Sequence, residues 1–189
     1  MSNQTTRTNP ILQLVVIVYP AAMLGIGVAL NYYVFKVNPL HPVMLSEESL
    51  IALIIALTLL LLNHTWLMTT TELTRAHYGM CATPEEWVKS GSMIENVSPK
   101  GIEEVQRRHN AHRNATENIV YFALAALIFV FASPSQAAVY VWIVGFAVAR
   151  LAYTASYLAG SDSLRGLFMS LGLICLYGIA SYLTMSVFL

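Results

Sequence analysis

Three groups of residues along the chain could bind or activate a charged small molecule. The first is His109-Asn110-Ala111-His112-Arg113-Asn114-Ala115-Thr116-Glu117-Asn118. Arg113 and Glu117 are four apart and share a helical face, with Asn114 and Asn118 one residue round from them. The second is Arg150, followed at three, four and seven residues by Tyr153, Thr154 and Tyr157 on the same face. The third is Arg165, at the start of the uncharged stretch that closes the chain, where a helix N-terminus would add free N–H groups and partial positive charge. Three arginines and one glutamate suit a ligand with several carboxylates and one ammonium. Plainer readings stand beside this one: an interfacial Arg113–Glu117 ion pair, a snorkelling Arg150 with interfacial tyrosines, and an ordinary basic anchor at Arg165. A metal would have to use His109, His112 and Glu117. Histidines at i and i+3 do serve metal sites in bundles, but beside carboxylates from other helices. No second helix offers a carboxylate with a histidine, so no metal is expected. Cys81 and Cys175 lack a clear histidine partner, which argues against a thiol nucleophile.

Composition says what must position these groups. Of 189 residues, 57% are hydrophobic and only 11% are charged, with a net charge of zero. A soluble domain carries about 25% charge, so this chain cannot clothe a globular surface of its own. Disorder would need low hydrophobicity and high charge. A nucleic-acid binder would need a basic excess. Two cysteines cannot build a disulfide framework. A polytopic membrane protein remains.

Residues 11–35, 49–71, 118–149 and 166–189 carry no charge, and Ser133-Pro134-Ser135-Gln136 breaks the third run in two. A crossing needs about 20 apolar residues in a helix. Five spans are predicted, at 11–34, 49–71, 113–132, 137–158 and 166–188. The first is too long for the h-region of a signal peptide and reads as a retained anchor, with a kink at Pro20. The basic residues Arg7, Arg75, Lys89, Lys100, Arg107, Arg108 and Arg165 then fall on one side, against Lys36 on the other. The N-terminus, the loop 72–112 and the turn 159–165 are therefore expected in the cytoplasm. Ser98-Pro99-Lys100-Gly101 starts a helix that nothing breaks to residue 132. Arg150 lies eight residues before the end of its span, ~12 Å inside it. An arginine so placed costs about 2.5–3.5 kcal/mol at mid-membrane and is a functional candidate by default. The stripe Ala152, Ser156, Gly160 suits close helix packing, leaving the other face to present Arg150 and the two phenols.

Glu103-Glu104-Val105-Gln106-Arg107-Arg108-His109-Asn110-Ala111-His112-Arg113-Asn114-Ala115-Thr116-Glu117-Asn118-Ile119 resembles the signature of the MAPEG family, membrane-associated proteins of eicosanoid and glutathione metabolism. That signature reads approximately E-x-V-x-R-x-x-R-A-H-x-N-x-x-E-N-I. Arg150-x-x-Tyr153-Thr154-x-x-Tyr157-Leu158 is similar to the family's R-x-x-H/Y-T-x-x-Y-L, and Thr83-Pro84-Glu85-Glu86 to its N-P-E-D. The resemblance covers residues 50–189. It implies an all-α integral membrane fold: a four-helix subunit over 49–189 with a cytoplasmic loop 72–112, and an extra transmembrane helix within 1–48. It also implies a homotrimer, with glutathione between neighbouring subunits near the cytosolic face. The family's glutathione contacts fall on Arg75, Arg113, Asn114, Glu117, Arg150, Tyr153, Tyr157 and Arg165, and the arginine beside the thiol on Arg165. Gly166 and Met169 stand where the prostaglandin E synthase branch has serine and tyrosine, and Glu86 where it has an aspartate. These departures favour a general glutathione transferase, or a glutathione-dependent peroxidase, acting on hydrophobic or lipid substrates.

The main alternative is a non-catalytic lipid-binding member of the same fold. A small anion carrier would want inverted repeats and broken helices, and neither is visible. Topology is directly testable. Reporter fusions at residues 40, 90, 135 and 162 should read outside, inside, outside and inside. An inside signal at 40 in inserted protein would remove the extra span.

Overall fold

A helix satisfies its own backbone hydrogen bonds, which is what a chain in lipid requires. The computed structural model describes residues 10–41 and 43–189. Arg7, which contributed to the expected orientation, lies outside them. Helix α1 (Pro10–Leu30) continues into a π-helical turn (Asn31–Phe35). It is followed by α2 (Glu47–Tyr78), the short α3 (Pro84–Ser90) and α4 (Pro99–Phe129). Next, α5 (Gln136–Val139), a π-helical turn (Tyr140–Val144) and α6 (Gly145–Leu158) form one rod, and α7 (Asp162–Phe188) closes the chain. The ends are written in the sequence. Ser46, Thr83, Ser98 and Ser135 each accept a bond from a backbone N–H in the first turn. Gly79, with φ 64°, ends α2 in the left-handed conformation.

Among the described residues, four helices are long and apolar enough to cross a membrane: Gln13–Phe35, Glu47–Tyr78, Gln136–Leu158 and Asp162–Phe188. The span expected at 113–132 is not among them. Its helix begins at Pro99, and its longest run without Asp, Glu, Lys or Arg is 118–129. Arg113, Asn114 and Glu117 make the rest too polar for lipid on all sides, so α4 is held by α2, α6 and α7. A second expectation also changes. The face of α6 that carries Arg150, Tyr153 and Thr154 is buried against the bundle rather than presented at a surface.

The core is aromatic and close-packed. Phe122 and Phe146 stack at 4.0 Å, and Phe129 meets Tyr182 edge-on at 5.1 Å. Helix α1 docks on α7 at a glycine contact: a Cβ on Gly27 would come within 3.0 Å of the backbone of Gly178. One polar residue fixes the register. Asn31, 0% exposed, donates to the Gly178 carbonyl (2.7 Å) and to Ser181 Oγ (2.9 Å), and accepts from Trp142 Nε1 (3.0 Å). Every polar atom of its amide is engaged. The connection to α2 is tied down as well. Asn38 bonds the Tyr182 hydroxyl and the Ser133 carbonyl, Leu40 N donates to Ser186 O, and Ser133 Oγ donates to His41 O. Helix α1 is therefore built into the bundle through one face, and the rest of it is largely exposed.

This clamp predicts two stability losses. Asn31→Leu strands the Trp142 N–H in an apolar core and should cost about 1–3 kcal/mol. Gly178→Ala should cost more, because its Cβ would sit 2.7 Å from the Trp142 ring. Thermal unfolding followed by tryptophan fluorescence in detergent measures both, and wild-type stability in Asn31→Leu would refute the clamp.

Candidate functional site

Three helices bring polar side chains to one level of the bundle. Arg150 of α6 is 1% exposed. Its Nη2 donates to Asn114 Oδ1 of α4 at 2.6 Å, and its Nη1 lies 3.7 Å from the Met169 sulfur of α7. The guanidinium stacks over Tyr153, 4.3 Å from the ring centre. Tyr153 and Tyr157 follow each other at 5.7 Å, and Arg165 of α7 lies over Tyr157 at 5.0 Å. A row thus runs from a sealed arginine to a half-exposed one across two phenols. Among the described residues no carboxylate pairs with Arg150. Its charge is met by an amide dipole, a sulfur and a ring face. Buried polar atoms here also lack protein partners: Arg150 Nε, the Thr154 hydroxyl and both amide atoms of Asn63. Tyr157 and Leu67 of α2 pack in one cluster, so Asn63 stands one turn along α2 from that point, as Thr154 does along α6.

The other sequence candidates stand apart from this row. Arg113 and Glu117 are exposed and do not form the ion pair that their spacing allowed. Asn110 occupies the position of an arginine in the family signature and accepts from Arg113 at 3.4 Å. One residue round the helix, Asn114 turns inward to Arg150 while Arg113 turns out. Arg75 lies at the α2–α4 seam. Its Nη1 pairs with Glu72 at 2.6 Å and its Nη2 meets His109 Nε2 at 2.8 Å. Burial, and then the charge of Arg75, hold the His109 pKa below its ordinary value. A second imidazole pair, His64 and His112, spans the same seam at 3.0 Å. Helix α7 starts at Asp162, earlier than expected, because an acidic residue suits a helix N-terminus. Arg165 N–H is therefore spent on the Ser161 carbonyl, and its side chain reaches Asp162 at 3.1 Å. Glu86 takes up the Ala82 N–H at 2.7 Å while Thr83 accepts from Glu86 N, so this acid serves as a helix cap. Sequence reasoning missed Met169 as a contact of Arg150, His109 as a contact of Arg75, and Asp162. Only Asp162 had a visible signal, its i,i+3 spacing from Arg165.

A model of the MAPEG family matches residues 50–185. The chain belongs to the MAPEG family. No curated protein matches it. The match begins inside α2, so α1 and the connection after it lie outside the matched region of this MAPEG protein. Membership and the four apolar helices make it an integral membrane protein related to glutathione or eicosanoid metabolism.

Partner removal and charge removal should differ at Arg150. Asn114→Leu leaves a buried guanidinium short of a charge-assisted bond, worth about 1.5–3 kcal/mol. Arg150→Met removes the charge itself and should be neutral or stabilising. Thermal unfolding of the two variants measures this. An Arg150→Met protein less stable than Asn114→Leu would mean that the arginine serves the fold and not a ligand.

Proposed function

We propose that this MAPEG protein is a membrane glutathione transferase, with glutathione held along the row Arg150–Tyr153–Tyr157–Arg165. The observation that carries this reading is a sealed arginine with no carboxylate partner among the described residues, at the end of a row that opens at a second arginine. Two carboxylates and an ammonium are what such a site lacks, and glutathione has them. Arg75, Arg113, Asn114, Glu117, Arg150, Tyr153 and Tyr157 bind the peptide in this reading, and Arg165 faces the thiol. Arg113 and Glu117 point away from their own row, which supports a homotrimer in which they complete a neighbour's site. We place the site on the cytoplasmic side, and the division between the extra segment and the family domain at residue 48.

The reaction needs the thiolate. Lowering a thiol from about 8.5 by two units requires roughly 2.7 kcal/mol. One guanidinium in a partly dry site is of the right size to supply it. The thiolate sulfur forms a bond to the electrophilic carbon, and the leaving group departs with its electron pair. With a lipid hydroperoxide, two glutathiones would become a disulfide while the peroxide becomes alcohol and water. One feature favours the second reading, a lipid-binding member. An apolar groove of about 430 Å³ between α2 and α4 is lined by Leu53, Leu57, Leu60, Phe122 and Leu127 among others.

Thiolate absorbance of bound glutathione, titrated with pH, separates the two. Arg165→Ala should raise the thiol pKa and cut turnover more than affinity. Arg113→Ala should mainly weaken binding, because its charge meets a carboxylate in ground state and transition state alike. Arg165→Lys should recover part of the loss. Asp162→Asn removes a negative charge 3.1 Å from Arg165 and should lower the thiol pKa further. An unchanged thiol pKa in Arg165→Ala would end the thiolate role, and purified protein that binds lipid but no glutathione would favour the alternative.

A further inference from the structure

Arg75 is held by two partners that pull in different directions. Glu72, three residues back on α2, takes Nη1 at 2.6 Å along its own helix. His109 takes Nη2 at 2.8 Å across the seam from α4. A guanidinium only donates, so His109 Nε2 must accept. Its one proton then sits on Nδ1, and the imidazolium form cannot make this bond. The Arg75 side chain is 19% exposed, and among the described residues its hydrogen bond to α4 is the one to His109.

We propose that His109 is a positioning residue for Arg75: its unprotonated Nε2 aims the guanidinium across the α2–α4 seam, and protonation of the imidazole releases it. The proposal deepens the glutathione reading, because it rests on Arg75 meeting a ligand carboxylate. It makes ligand affinity depend on one proton that glutathione does not carry. The groups that act on His109 are Arg75 and Glu72 on α2 and His112 on its own helix. Burial comes first in keeping the imidazole neutral, Arg75 second, and Glu72 opposes them. The folded pKa is thus lowered relative to the unfolded one. The contact and its stabilisation are present above about 6.5, the ordinary histidine value, and are lost as pH falls through the folded pKa.

The probe is S-methylglutathione, whose sulfur does not titrate, bound to full-length protein in detergent between pH 5 and 8. Wild-type affinity should fall several-fold as pH drops through the histidine range. His109→Gln, with an acceptor oxygen that does not titrate, should bind like wild type at pH 8 and lose the acid step. His109→Phe should bind about tenfold more weakly at pH 8, the loss of one charge-assisted bond. An acid step that persists in His109→Gln, or full affinity in His109→Phe, overturns the proposal. A ligand-free readout separates it from the glutathione reading. Nitrogen NMR of His109 should report the Nδ1–H tautomer near pH 8, lost in Arg75→Gln. If wild type binds no S-methylglutathione but shows this tautomer, the glutathione reading fails and the positioning contact stands. An Nε2–H tautomer sinks the contact whatever binds.

Discussion

An arginine sealed inside a membrane bundle has to be compensated, and among the described residues no carboxylate does it. Arg150 is met by Asn114 of α4, the Met169 sulfur of α7 and the Tyr153 ring of its own helix. That requirement reaches well beyond the site. Asn114 must sit at the depth of Arg150, so the polar half of α4 enters the bundle instead of ending at its edge. The same demand shortens the apolar part of α4 to residues 118–129 and makes this helix depend on its neighbours. The arginine stem passes α7 at Gly172, its Cδ 3.7 Å from where a Cβ would be, which is ordinary packing distance.

Two buried polar clusters in the molecule contrast usefully. Around Asn31 every donor and acceptor of the amide is used, in a closed set with Trp142, Gly178 and Ser181. A satisfied network of that kind fixes register and has nothing left to offer. At Arg150 and Thr154 on α6, and at Asn63 on α2, the opposite holds. Arg150 Nε, Thr154 Oγ1 and the Asn63 amide have no protein partner. Helical threonines elsewhere, such as Thr58, Thr71 and Thr184, close their hydroxyls on the carbonyl four residues back, and Thr154 does not. Unused hydrogen-bonding capacity in a buried place is expensive. The first cluster is closed, and the second keeps donors and acceptors that the fold does not use.

The α2–α4 seam adds a different kind of control. Arg75–His109 and His64–His112 both cross it, and each contact needs a neutral imidazole. The half of the subunit that contains this seam is therefore held partly by contacts that protonation of the imidazoles would break. The half that contains Asn31 and Trp142 is held by apolar packing and by neutral hydrogen bonds.

Membrane class, the uncharged runs and most helix ends were legible in the sequence, because charge, length and capping residues act locally. Ser46, Thr83, Ser98 and Ser135 cap where their types and neighbours direct. The signature around Arg113 and the pattern Arg150-x-x-Tyr153-Thr154-x-x-Tyr157 fixed the family for the same reason, since each is a local string. What the string could not say is which way each polar residue turns. Arg113 and Asn114 are adjacent, yet one faces outward and the other bonds Arg150, and only the packing of α4 against α6 decides between them. Met169 beside Arg150, Arg75 against His109 and Asn31 beneath Trp142 join residues 19, 34 and 111 positions apart. Helical periodicity orders residues around one axis. Contacts between axes depend on the relative rotation and depth of two helices, which side-chain volumes such as those of Gly178 and Trp142 set only when the bundle closes.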